Sequence, residues 1–139
     1  MHGPLTTPME TERNLETVDL LTERWNAGDT EGVLEFYDDD IVMVTSPSWP
    51  EQRDVVGKDA VRGWMHEWRA LWDVSELHSH DVRANGDKVA ARGAWESRGR
   101  VSGVEGVLPF SMLLTLRDGK VVRVEWFDDH DDALRAAGL

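Results

Sequence analysis

A chain of 139 residues with 15 Lys plus Arg against 27 Asp plus Glu carries a formal net charge of -12. That charge repels phosphate backbones and anionic membrane surfaces and argues against nucleic acid as a partner. With 40% hydrophobic and 30% charged residues the balance is that of a folded domain, and the lack of cysteine excludes disulfides, zinc-thiolate sites and a thiol nucleophile. No apolar run reaches the ~20 residues of a membrane span, and no basic-then-apolar leader is present. The sequence therefore reads as one cytoplasmic domain over residues 1–139, with no membrane partner.

Thr7-Pro8-Met9-Glu10 combines a capping hydroxyl, a proline at the first helical position and a glutamate three residues after the cap, so a first helix is expected over 8–27. Leu15, Val18, Leu21, Thr22 and Trp25 continue it at spacings of three and four, and Gly28 can stop it. Asp29 can cap a second helix over 30–38 that carries Val33, Leu34, Phe36 and Tyr37. Ile41 to Thr45 read as a strand, broken by Ser46-Pro47-Ser48-Trp49-Pro50. Val61, Trp64, Met65, Trp68, Leu71 and Trp72 form one stripe of a third helix over 58–72. Four strands follow, 75–84, 88–101, 105–117 and 120–128, with Asn85-Gly86-Asp87 and Asp118-Gly119 as hairpin turns. Asp129 and Asp132 bracket the start of a short last helix that ends at Gly138.

Three helices followed by hairpin-linked strands give an α+β class in which helices cover one face of a curved antiparallel sheet. Alternation fixes that face. Arg92, Glu96, Arg98 and Arg100 share one parity, so Val89, Ala91, Gly93 and Trp95 point toward the helices. By the same rule Phe110, Met112, Leu114 and Leu116 face inward, as do Val122, Val124, Trp126 and Asp128 on the last strand. The outward arginines cannot pack dry, and pairing with acids across a two-fold axis would make the protein a homodimer.

The chain resembles the NTF2-like superfamily of cone-shaped α+β barrels, and within it the SnoaL-like group. Carrying the resemblance are Arg24-Trp25-Asn26-Ala27-Gly28-Asp29, Phe36-Tyr37-Asp38-Asp39-Asp40, Trp49-Pro50 with Val56-Gly57-Lys58, and the ending Leu116-Arg117-Asp118-Gly119-Lys120-Val121-Val122-Arg123 with Asp132-Ala133-Leu134. The resemblance implies a pocket between helices and sheet, and a range of functions: ketosteroid isomerases, polyketide cyclases, epoxide hydrolases, dehydratases and proteins with a pocket but no known chemistry. Where an isomerase needs a tyrosine, a base and a protonated aspartate, this chain has Leu21, Val44 and Met112. The places of the hydrolase and cyclase acids hold Gly93, Trp95 and Trp126.

Seven tryptophans against one tyrosine is the unusual figure. Trp25, Trp64 and Trp72 read as packing. Trp49, Trp68, Trp95 and Trp126, with Phe110 and Met112, are the candidate walls of a pocket for a small hydrophobic molecule. Asp128, the inward acid at a strand end, and Tyr37, the only phenol, are the candidate acid/base pair, although Asp128 reads more simply as meeting water beyond the rim. His78 and His80 could offer two metal ligands with Asp81 or His130 as a third, yet they read better as surface residues, and no metal and no cofactor is expected. Two functions stay open: a small-molecule-binding protein, or a cofactor-free isomerase, cyclase, dehydratase or hydrolase working in the same pocket.

Overall fold

The computed structural model describes residues 8–46, 54–70, 72–99 and 105–139. Its elements run α1 (Pro8–Asn26), α2 (Thr30–Leu34), β1 (Tyr37–Val44), β2 (Asp54–Val56), α3 (Lys58–Ala70), β3 (Trp72–Asn85), β4 (Lys88–Gly99), β5 (Glu105–Arg117), β6 (Lys120–Phe127) and α4 (His130–Ala136). The strands form one curved, unclosed sheet in the order β2-β1-β6-β5-β4-β3. The helices α1, α2 and α3 pack on its concave face, where Val18, Leu34, Ile41, Met43, Val61, Val89, Leu114 and Val121 are fully enclosed.

The segment Arg24 to Asp29 shows why a short motif can fix a corner of the fold. Arg24 donates to the Gly32 carbonyl at 2.9 Å and to Glu35 Oε2 at 2.8 Å, and Trp25 enters the core. Asn26 clamps β3 through both ends of its amide: its Nδ2 donates to the Leu77 carbonyl at 2.9 Å, and its Oδ1 accepts from the Leu77 N–H at 2.8 Å. Gly28 turns the chain at φ +79°, and Asp29 caps α2 by accepting from the Gly32 N–H at 2.9 Å.

The hairpins fall where expected. Asp118 and Gly119 both adopt positive φ between β5 and β6, as a type I′ turn requires. On β4, Val89, Ala91 and Trp95 are buried while Arg92 and Glu96 are exposed, so the inward and outward faces are as their alternation indicates.

Several expectations need correction. The sheet is mixed, because β1 pairs in parallel with β6, a long-range pairing that no turn announces. The expected last helix, α4, is present and capped by Asp129, but it lies on the convex face and not with the other three, and there Leu134 and Ala137 pack on Ala90 and Leu113. The second helix stops at Leu34, so Tyr37 opens β1 instead of ending a helix. Trp72 opens β3 rather than closing α3, and a three-residue strand, β2, stands before α3 where the sequence offers no strand signal. A bulge between Thr115 and Leu116, opposite Arg123 and Val121, makes Val121 the enclosed residue in place of Val122. Thr7, the expected cap of α1, lies outside the described residues.

Candidate functional site

Six aromatic rings run in contact across the concave face. Trp64 and Trp68, four residues apart on α3, stack at 5.6 Å and 15°. Trp68 meets Trp95 of β4 at 4.7 Å, Trp95 meets Trp126 of β6 at 5.8 Å, and Trp126 meets Phe110 of β5 edge-on at 6.2 Å. Trp25 joins from α1, with its ring 6.0 Å from Trp95 at 87°. The Arg69 guanidinium lies 3.8 Å over Trp25 and donates to its carbonyl, which ties the end of α3 to the end of α1.

Two spaces flank this aromatic run. On the inner side is an apolar cavity of about 50 Å³ among Leu21, Trp25, Tyr37, Met43, Met112 and Trp126. That holds a few waters at most and is far below the ~300 Å³ of a ligand pocket. On the outer side a cleft of about 950 Å³ opens along Trp68, Trp95, Phe110 and Trp126. Its place follows from strand lengths. The pairing of β6 with β5 starts at Ser111 and Phe127, so residues 105–110 of β5 run past the end of β6 and leave a gap there.

Polar groups gather at both ends. Ser46, 2% exposed, donates to Asp128 at the cleft rim. Ser111 Oγ and His130 Nδ1 are 2.8 Å apart on the outer side, and Arg92 and His80 line the same cleft. Tyr37 sits in the inner cavity, where burial pushes its phenol well above the ordinary value near 10. At neutral pH it can donate a hydrogen bond but cannot serve as a base.

Trp68, Trp95, Phe110 and Trp126 are thus brought together at the cleft, whereas Met112 lines only the inner cavity. Trp49 lies outside the described residues. Asp128 and Tyr37, the acid/base candidates, line different spaces and do not form a pair at one centre. Met43, not Val44, is the β1 residue on the cavity wall. His78 and His80 are exposed, and the groups nearest His78 are Glu76 and Glu96, with carboxylate oxygens 3.3 and 3.4 Å from its Nε2, not Asp81 or His130. These three are the described residues whose ligand atoms approach closely enough to hold a cation. Sequence reasoning missed Ser111, His130 and Ser46 as cleft groups. The signal for Ser111 was available: it is a serine beside Phe110 whose parity matches Arg92.

The family model of the SnoaL-like domain matches residues 18–124. None of the curated proteins matches the chain. Among solved structures, a candidate SnoaL-like polyketide cyclase from Jannaschia sp. CCS1 is 21% identical, with 97% of each chain covered and a TM-score of 0.77. TerC, co-crystallised with polyporic acid, is 22% identical over 90% of this chain and 97% of its own, with a TM-score of 0.74. A Catenulispora acidiphila DSM 44928 protein with a ketosteroid isomerase-like fold, in complex with trimethylamine, is 15% identical over 89% and 93%, with a TM-score of 0.72. At these identities the likeness establishes the fold. No described helix is long and apolar enough to cross a membrane.

Proposed function

The chain belongs to the SnoaL-like domain family, and from that premise we propose that it binds a small apolar molecule in the cleft beside Trp68, Trp95, Phe110 and Trp126. One observation carries the reading: the ligand-sized space of this face lies at the end of a continuous aromatic run, while the enclosed core behind it is nearly filled. Indole walls supply stacking and buried area to a flat ligand without needing charge. Two structural neighbours hold small molecules, polyporic acid in TerC and trimethylamine in the Catenulispora protein, which fits a fold used for small ligands.

Titration with methyl 2-naphthoate, a flat uncharged probe, should quench tryptophan fluorescence saturably. Trp68 is half-buried on α3, so Trp68→Ala should leave the fold intact and weaken binding by about 1–3 kcal/mol. Absence of saturable quenching in the unaltered protein would remove the reading.

An acid/base enzyme is the second reading, favoured by Asp128 standing on the same cleft with the Ser46 hydroxyl on its carboxylate. A turnover abolished by Asp128→Asn, with probe binding kept, would put this reading first.

Assembly belongs to the same proposal. On the outer face Glu76 stands directly opposite Glu96 across β3 and β4, with the His78 ring 3.3 and 3.4 Å from the two carboxylates. Basic side chains of a second copy against this acidic spot would form a homodimer through this face. Light scattering should give twice the monomer mass at micromolar concentration, and a monomer throughout that range would contradict the assembly. A cytoplasmic location is proposed with it.

A further inference from the structure

Away from the cleft, three metal-ligating side chains meet on the outer face of β3 and β4. Glu76 and Glu96 are direct partners across the two strands, and His78, two residues after Glu76, falls on the same side of β3. Its Nε2 lies 3.3 Å from Glu76 Oε2 and 3.4 Å from Glu96 Oε2, and the three ligand atoms are all within 4.8 Å of one another. Among the described residues neither glutamate has another cationic partner. His80 would continue the row, but it is the extra residue of the bulge between Ser79 and Asp81. That bulge is why the pair legible in the sequence, His78 with His80, is not the set that the sheet assembles.

The spacing distinguishes a metal site from a hydrogen-bonded cluster. A charge-assisted bond from imidazole to carboxylate closes to about 2.7–2.9 Å, and both contacts of His78 are longer than that. Ligands held at about 2.0–2.1 Å from a tetrahedral centre stand about 3.3–3.4 Å from one another, which is the separation of the histidine nitrogen from each glutamate oxygen. Charge points the same way. Two carboxylates directly opposite across a strand pair repel, and a dication offsets both at once. The donor set narrows the choice of ion, since calcium and magnesium take oxygen alone whereas imidazole with carboxylate suits zinc and its neighbours. The three side chains are about half exposed, so an ion reaches them directly from solvent.

We infer that Glu76, His78 and Glu96 bind a divalent transition metal of the zinc class, with the fourth tetrahedral position open to water. The site is independent of the cleft and needs no dimer. It does share its groups with the acidic spot of the homodimer reading, so the metal competes there with the basic side chains of a second copy, and zinc shifts the protein toward the monomer.

The experiment is calorimetric titration of the full chain with zinc chloride, followed by titration with cobalt(II), whose visible absorption reports its coordination. Zinc should bind at one site per chain, and cobalt should give the intense spectrum of a four-coordinate ion. His78→Ala and Glu96→Gln, both at exposed positions, should each weaken zinc binding ~10-fold or more without changing the far-ultraviolet circular dichroism. His66→Ala, on the exposed side of α3, should leave binding as it is. Absence of zinc binding, or binding that survives His78→Ala undiminished, would overturn the site. A six-coordinate cobalt spectrum would overturn the tetrahedral geometry on which it rests. Light scattering with and without saturating zinc separates this site from the assembly: a fall in mass supports the competition, and a dimer that persists with zinc bound would overturn the competition and leave the metal site standing.

Discussion

Trp95→Ala is expected to lower the free energy of unfolding by about 3–5 kcal/mol. The indole is 6% exposed and touches three other tryptophans, one from each of α1, α3 and β6, so no single neighbour can collapse into the space it leaves. Against a total stability of about 5–15 kcal/mol for a domain of this kind, the variant should be marginal. Guanidinium unfolding followed by far-ultraviolet circular dichroism measures this, and Trp95→Phe, which keeps a ring, should recover more than half of the loss. A decrease under 1 kcal/mol in Trp95→Ala would show that the ring is not the pillar of the concave face. The size of the effect explains why Trp68 is the better position for probing the ligand: it is only partly buried, so its loss should cost the fold less than the loss of Trp95.

Gly93→Ala should cost about 3 kcal/mol for the addition of a single methyl group. A Cβ at this position would lie 1.9 Å from the His78 carbonyl oxygen and 2.8 Å from Ser79 Cα, both of them backbone atoms. The strand β3 cannot retreat freely, because the Asn26 amide holds it at Leu77 one residue before His78. The nearby irregularity in β3, where the register shifts between Ser79 and Asp81, adds to the crowding. The midpoint of unfolding should fall, and amide exchange in residues 76–82 should accelerate ahead of exchange elsewhere. An unchanged midpoint with unchanged exchange in β3 would mean that the two strands separate by a few tenths of an ångström without penalty.

The inward faces of β4 and β5 were legible in the sequence because alternation is a local property. Arg92 and Glu96 mark the outside, and Trp95 and Met112 follow on the inside. What remained hidden depended on partners far away in the chain. Phe36 and Tyr37 extend the helical spacing of Val33 and Leu34, and Asp38 to Asp40 are poor strand formers, so nothing local separates α2 from β1. That boundary is imposed by pairing with β6, where Tyr37 lies opposite Val121. The cleft was legible as a set of aromatic residues and not as a place. Parity puts Trp95 and Trp126 on one face, but only the unequal lengths of β5 and β6 show on which side of them the space lies. His130 was readable as a possible partner of His78 and His80 but not of Ser111, because its approach to Ser111 depends on α4 crossing back over the convex face.

The parallel pairing of β1 with β6 has a kinetic consequence. The Ser46 to Asp128 contact at its end joins residues 82 positions apart, so closing that part of the sheet requires a long stretch of chain to be ordered first. Hairpins such as β5–β6 can form within microseconds, whereas β1 must wait for the last strand. During synthesis on the ribosome the apolar side of β1, with Ile41 and Met43, therefore emerges well before its partner exists. Folding of this chain should accordingly be governed by topology, in the millisecond-to-second range of domains rich in non-local contacts, with the two N-terminal helices as early local structure and the β1–β6 seam as the late step.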